Sequence, residues 1–124
     1  MDVAEITGSG GFIRIADKAL AAIARKACLS VDGVASMDSR FTHAISSMIV
    51  GTDAEGVSIS IRENQVEVSL YIFVMHGIRV PELALHVQER VKENLSDLTG
   101  LSVASVNIFV QGIVFGQEGR YMHG

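Results

Sequence analysis

Residues 56–100 read GVSISIRENQVEVSLYIFVMHGIRVPELALHVQERVKENLSDLTG, and this stretch decides the fold. Apolar and polar residues alternate over residues 57–62 and again from residue 66, which is the period-2 pattern of half-buried strands. Residues 63–65 form a short polar turn, in which Asn64 tolerates a positive φ. The pattern predicts a β-hairpin whose second strand has one continuous apolar face: Val66, Val68, Leu70, Ile72 and Val74.

A long amphipathic helix is predicted after the hairpin. Pro81 suits the first helical turn, where a missing backbone N–H costs nothing, and Gly100 stands where a C-terminal cap belongs. Such a helix has about 20 residues and a length of about 30 Å, enough to cross a sheet. Its apolar side chains recur at helical spacing: Val80, Ala84, Val87, Val91, Leu95 and Leu98.

The flanking segments add further strands and a first helix. Residues 12–15 alternate like a short strand, and Asp17 stabilises the start of a helix behind them. Residues 34–37 are predicted to be extended. The last strand covers residues 101–115, in which Gly112 marks a bulge or a close backbone approach. The buried stripe of the first helix is predicted to be Leu20, Ile23, Ala24, Ala27 and Val31.

These elements predict an α+β fold in the order β-α-β-β-α-β, plus a short helix at residues 40–50. The expected architecture is a two-layer sandwich, with a mostly antiparallel sheet of about four strands and both main helices on one face. We expect one domain over residues 11–115. The Gly-rich residues 8–11 close a flexible lead-in of residues 1–10, and residues 116–124 form a C-terminal tail.

The composition is that of a globular, apolar chain of 124 residues with 48% hydrophobic residues and a mean hydropathy of +0.36. The single cysteine, Cys28, excludes an internal disulfide and fits a reducing compartment. The first residues lack the pattern of a signal peptide, and no apolar run is long enough to span a bilayer. We therefore expect a cytoplasmic protein that reaches the membrane only through a partner.

Several motifs in these elements resemble one known family. They are GFIRI at residues 11–15, DGV at 32–34, GIRVPE at 77–82, VQERVK at 87–92, TGL at 99–101 and VNIFVQGIVF at 106–115. Together they resemble the alkaline shock protein family, which is linked to envelope stress in mainly Gram-positive bacteria. The resemblance implies a small, non-enzymatic cytoplasmic protein that self-associates or docks on a membrane-anchored partner.

The side chains that commonly carry chemistry are scattered. His86 and Glu89 share the polar side of the long helix, but two ligands fall short of a metal site. Cys28 reads as a buried residue with no base beside it. The other histidines occupy different segments: His43, His76 and His123. We therefore predict no catalytic, cofactor-binding or metal-binding residues.

An apolar stripe on the sheet is the predicted interaction face. If the apolar face of the second hairpin strand packs on the helices, the alternate residues point away from them. The last strand adds two aromatic residues by the same logic. The predicted face comprises Tyr71, Phe73, Met75, Phe109 and Phe115. Large apolar surfaces usually mark interfaces. Alternatively, the short helix at residues 40–50 folds over the face and buries it.

Three functions compete on these grounds. The first is a stress-linked scaffold that forms homo-oligomers, as a closed dimer or an open filament, and docks on a membrane-anchored partner protein. The second is an RNA-binding or regulatory module whose sheet aromatics stack on bases; the net charge of −4 and the scattered basic residues give it no strong signal. The third is an accessory protein of lipid metabolism that binds a small ligand between the helices and the sheet.

Overall fold

The computed structural model describes residues 3–40, 55–116 and the backbone of residues 120–121. The elements follow in this order: β1 (Val3–Gly8), β2 (Gly11–Ala16), α1 (Asp17–Leu29), β3 (Val34–Met37), β4 (Val57–Arg62), β5 (Gln65–Met75), α2 (Val80–Thr99), β6 (Ser102–Phe115) and β7 (Arg120–Tyr121). Within these ranges, four of the five strand pairings are antiparallel. The predicted α+β class and mostly antiparallel sheet are confirmed.

Strand β5 is the centre of the main sheet. On one side it pairs with β3 near its C-terminal end and with β4 over its first six residues, and on the other side it pairs with β6. Glu63 and Asn64 both have positive φ angles, 52° and 63°, which is the backbone of a two-residue type I′ turn. The predicted β4–β5 hairpin is therefore confirmed, with a tighter turn than the three-residue one expected.

Strands β5 and β6 are parallel, and α2 is the crossover between them. Their register runs from Gln65 opposite Ser102 to Met75 opposite Val114. Parallel neighbours need a long connection, which a 20-residue helix supplies. The predicted cap is confirmed, since Gly100 has a φ of 75° and its N–H donates to the Ser96 carbonyl at 2.8 Å.

Both helices pack on the same face of β5. The alternate residues of β5 from Val66 to Val74 are buried and join the buried residues of both helices in one core. The stripe of α2 is narrower than predicted: Val80 and Leu98 are exposed, and Leu83 is buried instead. The buried apolar residues of the two helices are Leu20, Ala21, Ala24, Ala27, Cys28, Leu83, Val87, Val91 and Leu95.

Residues 3–8 are not the flexible lead-in that was predicted. They form β1, which pairs antiparallel with β2 from Val3 opposite Ala16 to Gly8 opposite Gly11. Ala4 is fully buried in the core, so the strand is fixed at its root. The side chain of Asn64 also holds it, because Nδ2 donates to the Glu5 carbonyl at 2.6 Å and Oδ1 accepts from the Glu5 N–H at 3.0 Å. The Gly-rich residues 8–11 only connect the two strands.

Two other predictions concern residues 40–50 and the C-terminal tail. The helix predicted at residues 40–50 lies outside the described residues, apart from Arg40. Within the predicted tail, Arg120 and Tyr121 form β7 and pair with Phe115 and Val114.

Candidate interaction surface

The face of the sheet opposite the helices, called the outer face here, begins as a polar surface. Glu67 and Ser69 of β5 lie there, each opposite a polar residue of β6. Ser105 Oγ lies 3.1 Å from Glu67 Oε2, and Asn107 Nδ2 lies 3.5 Å from Ser69 Oγ. The first half of the outer face is therefore hydrogen-bonded within itself.

The second half of the outer face is apolar and mostly aromatic. The rings of Tyr71 and Phe109 stack with centroids 4.7 Å apart and planes 10° apart. Phe73 follows on β5, and its ring lies over Gly112. A Cβ atom at position 112 would come within 3.0 Å of that ring, so the close approach predicted at Gly112 is confirmed. We call Tyr71, Phe73, Met75 and Phe109 the aromatic row.

Phe115 does not belong to this row, although the strand alternation predicted it there. Ile72 pairs with Val110 whereas Phe73 pairs with Gly112, so β6 contains a bulge between them. One extra residue reverses the alternation beyond the bulge. Val114 takes the position beside Met75 on the outer face, and Phe115 contacts His76 with ring centroids 4.5 Å apart.

Exposure differs along this region. Tyr71, Phe73 and Met75 are half-buried, and Val114 is buried. The open apolar surface lies at the edge of β6, where Phe109 is 43% exposed on the outer face. Val110 and Ile113 are 39% and 40% exposed and pair in register with core residues of β5, so they lie on the helix side. The edge of β6 is thus apolar on both faces.

An ion pair between the buried Asp38 carboxylate and the exposed Arg40 guanidinium, which the sequence patterns missed, borders the aromatic row. The Asp38 N–H donates to the Tyr71 carbonyl at 2.8 Å, and its side chain is buried. The Arg40 guanidinium grips that carboxylate with both ends, Nε at 2.9 Å from Oδ1 and Nη2 at 2.6 Å from Oδ2. This hydrogen bonding lowers the pKa of Asp38 and outweighs the opposing effect of burial. The spacing D-x-R is too common to have revealed the pair.

The other chemical candidates lie apart from one another. His86 and Glu89 are both exposed on α2, and no three His, Cys, Asp or Glu side chains within the described ranges could hold a metal ion together. Burial raises the pKa of the Cys28 thiol to about 12, which keeps it protonated and unreactive. His43 and His123 lie outside the described residues.

Two further observations concern ligand binding and membrane spanning. The cleft, about 210 Å³ in volume, lies beside His86 and is lined also by Asp32, Glu82 and Leu83. It is smaller than the pockets of about 300–1,000 Å³ that hold typical ligands. Neither described helix is long and apolar enough to cross a membrane.

Comparison with known proteins gives a consistent answer. Residues 5–115 match the model of the alkaline shock protein 23 family, described as having a cell envelope-related function. The match begins inside β1, so it includes residues 5–8 of the strand that the sequence patterns missed. A comparison with solved structures finds no match.

Three curated relatives are similar over most of their length. The uncharacterized protein YqhY of Bacillus subtilis is 31% identical over 106 residues, which is 85% of this chain and 78% of the relative. The uncharacterized protein YloU of the same organism is 30% identical over 112 residues, 88% of this chain and 93% of the relative. The uncharacterized protein Spy1614 of Streptococcus pyogenes is 28% identical over 112 residues, with the same coverage. This chain belongs to the alkaline shock protein 23 family, whose function is related to the cell envelope.

Proposed function

We propose that this protein is a non-catalytic scaffold of envelope homeostasis. It self-associates and docks on a partner protein near the membrane. The observation that carries the proposal is the aromatic row, which continues into the exposed apolar edge of β6. The family supplies the envelope context.

The chemistry of the surface favours protein–protein contact. Aromatic residues and Met are enriched at interfaces, and charged residues are depleted at interface cores. The row consists of three aromatic residues and one methionine, and the nearby carboxylate of Asp38 is already paired with Arg40. A partner would therefore cover apolar side chains without leaving the Asp38 carboxylate unpaired.

An RNA-binding role has weaker support. A sheet that reads RNA needs basic residues beside its aromatics, because the phosphate charge supplies much of the affinity. The polar half of this outer face carries a carboxylate, Glu67, and the whole chain has a net charge of −4. Retention of RNA at low salt that disappears at high salt would favour this role over the scaffold.

Light scattering behind a size-exclusion column tests self-association over a tenfold range of concentration and at two salt strengths. We expect a mass well above 13.3 kDa that does not fall with salt, because the contact is apolar. A protein that stays monomeric under all these conditions would refute the self-association part of the proposal.

A matched pair of variants assigns the contact to the row. Phe109→Ser and Leu98→Ser each remove one exposed apolar side chain, from β6 and from α2. Full burial of a Phe contributes about 1.5–3 kcal/mol and Phe109 is 43% exposed, so its loss should weaken association by about three- to tenfold. Leu98→Ser should leave association unchanged. Equal effects of the two variants would show that the row is not the contact.

Membrane pellets test partner docking. Isolated membranes of a Gram-positive host should retain the added protein, and prior protease treatment of the membranes should abolish retention. Vesicles made from the extracted lipids alone should not bind it. Equal binding to lipid vesicles would contradict docking on a protein partner.

A further inference from the structure

Over most of its length, the edge of β6 that faces away from β5 has no partner among the described strands. From Ser102 to Val114, β6 pairs with β5 on one side. On the other side, the described strands pair only with its last two residues, Val114 and Phe115. An unpaired edge presents a row of backbone N–H and C=O groups that can pair with another strand. Among the described residues, positions 102–113 of β6 carry such an edge, apart from the Val106 carbonyl, which accepts a hydrogen bond from Gln88.

The edge also lacks the charges that usually protect one. The sequence of β6, SVASVNIFVQGIVF, contains no charged residue over 14 positions. Natural edge strands are commonly blunted by charges, Pro or short length. Strands β2 and β4 each carry an arginine, Arg14 and Arg62, and β3 has four residues. Strand β6 carries two bulges instead, at residues 103–105 and at residues 110–112.

The exposed side chains indicate what kind of partner fits. Phe109 lies on the outer face, whereas Val110 and Ile113 lie on the helix side, and all three are exposed. A partner must therefore supply apolar groups on both faces of the sheet and a strand between them. The edge of another uncharged strand does so, and β6 of a second copy is such a strand.

We propose that β6 pairs antiparallel with β6 of a second copy, about a two-fold axis that passes through Phe109. This inference rests on the proposed self-association and names its surface. Gln88 Nε2 donates to the Val106 carbonyl at 2.9 Å, which marks Val106 as a residue whose backbone faces away from β5. Because this direction alternates, Ile108 and Val110 present their backbone groups to the open edge.

The position of the two-fold axis determines which residues of the two β6 strands lie opposite each other. Ile108 of one copy exchanges hydrogen bonds with Val110 of the other, and Phe109 lies opposite Phe109 of the second copy on the outer face. Aromatic cross-strand pairs stabilise sheets, and the uncharged strand opposes no like charges. Strand β7 blocks the edge at Val114, and Gln88 occupies the Val106 carbonyl. The intermolecular ladder therefore centres on residues 107–111.

Cysteine cross-linking tests the axis, because only residues near it lie opposite themselves. In a pair of this type the Cβ atoms are about 4.5–5.5 Å apart, close to the distance that a disulfide spans. Phe109→Cys should therefore form a disulfide dimer with diamide, at least about tenfold faster than Ala104→Cys on the same strand. In this register two copies of residue 104 are about 33 Å apart, since each strand residue advances 3.3 Å. The wild-type chain, whose Cys28 is buried, serves as the blank.

A second variant disrupts the proposed β6–β6 pairing without introducing a cysteine. Val110→Lys puts a charge on the edge, and Leu85→Lys puts one on the exposed side of α2 as the control. We expect the mass measured by light scattering to fall for Val110→Lys alone, with both variants retaining the circular dichroism spectrum of the wild type.

The outcomes separate this inference from the proposed function. A wild type that assembles, with equal cross-linking at residues 109 and 104 and an unchanged Val110→Lys variant, would overturn β6 pairing and leave scaffold assembly to another surface. A wild type that stays monomeric would overturn both. Fast cross-linking at residue 109 together with a monomeric Val110→Lys variant supports both.

Discussion

Substitution of Gly56 by Ala tests how closely the end of β3 and the start of β4 pack beside the aromatic row. The Tyr71 N–H donates to the Gly56 carbonyl at 2.9 Å, and the Tyr71 carbonyl accepts from Asp38 at 2.8 Å. Gly56 lies in the gap between these contacts. A Cβ atom there would be 2.7 Å from the Cβ of Met37, 3.0 Å from the Tyr71 carbonyl oxygen and 3.1 Å from the Asp38 nitrogen. None of these atoms is the flexible end of a side chain.

The expected loss of stability has two parts. The φ of Gly56 is +77°, and an L-residue in this region costs about 1–2 kcal/mol. The forced displacement of packed atoms adds about 1–3 kcal/mol, as overpacking does in cores. Gly56→Ala should therefore lower the free energy of unfolding by about 2–5 kcal/mol.

Gly100 provides a matched control, because its φ of +75° is nearly the same and nothing lies within 4 Å of its Cβ position. Gly100→Ala should show only the backbone cost of about 1–2 kcal/mol. Urea unfolding followed by circular dichroism measures both variants. With a slope of about 2 kcal/mol per molar urea, the midpoint should fall by about 1–2.5 M for Gly56→Ala and by half as much or less for Gly100→Ala. Equal losses would refute the steric reasoning and leave backbone conformation as the whole effect.

Three further predictions concern single side chains. The pKa of Asp38 is lowered in the folded state, so the ionised carboxylate stabilises the fold above the unfolded pKa of about 3.9, and this contribution is lost as the pH falls through the folded pKa. The urea midpoints measured at pH 7 and at pH 3 should therefore differ less for Asp38→Asn than for the wild type. Cys28, with a pKa of about 12, should react with a thiol reagent at pH 8 only after unfolding; prompt reaction of the folded protein would contradict its burial. Asn64→Gly keeps the turn but removes both bonds to Glu5, so amide exchange at Glu5 should rise by about fivefold, whereas Asn64→Asp retains an acceptor and should raise it less.

The elements that the sequence predicts well carry local signals at both ends. The β4–β5 hairpin is marked by alternation and by Asn64 in the turn, and α2 is marked by Pro81 and Gly100. Each signal acts through the conformation of one or two residues. Such signals remain readable without knowledge of the tertiary structure.

The features that the sequence patterns missed depend on contacts between distant residues. Strand β1 is held by burial of Ala4 and by the Asn64 side chain, 59 positions away from Glu5. The parallel pairing of β5 with β6 depends on how the chain connects the two strands, and the alternation within each strand gives no information about their relative direction. Asp38 and Arg40 are close in sequence, but burial beside Tyr71 is what gives their pair its importance.

The candidate site shows the same division. Alternation along β5 correctly places Tyr71, Phe73 and Met75 on one face, and alternation along β6 correctly places Phe109 with them. It fails for Phe115 because the bulge at residues 110–112 inserts one residue. Gly112 was the only sequence signal for that bulge, and a glycine alone does not say whether the phase of the strand changes.

The parallel crossover explains why an aromatic surface exists at all. In both β5 and β6 the first half contains polar residues between the apolar ones, and the second half is apolar on both faces apart from Gln111 of β6. Parallel pairing aligns the two first halves at one end of the sheet and the two second halves at the other, which puts Tyr71 against Phe109. An antiparallel pair would set the aromatic half of β5 against the serine-rich start of β6 and divide the surface. Helix α2 thus contributes to the surface as well as to the core. Because it joins β5 and β6 in parallel, the apolar side chains of both strands form one patch. The uncharged edge of β6 lies beside that patch.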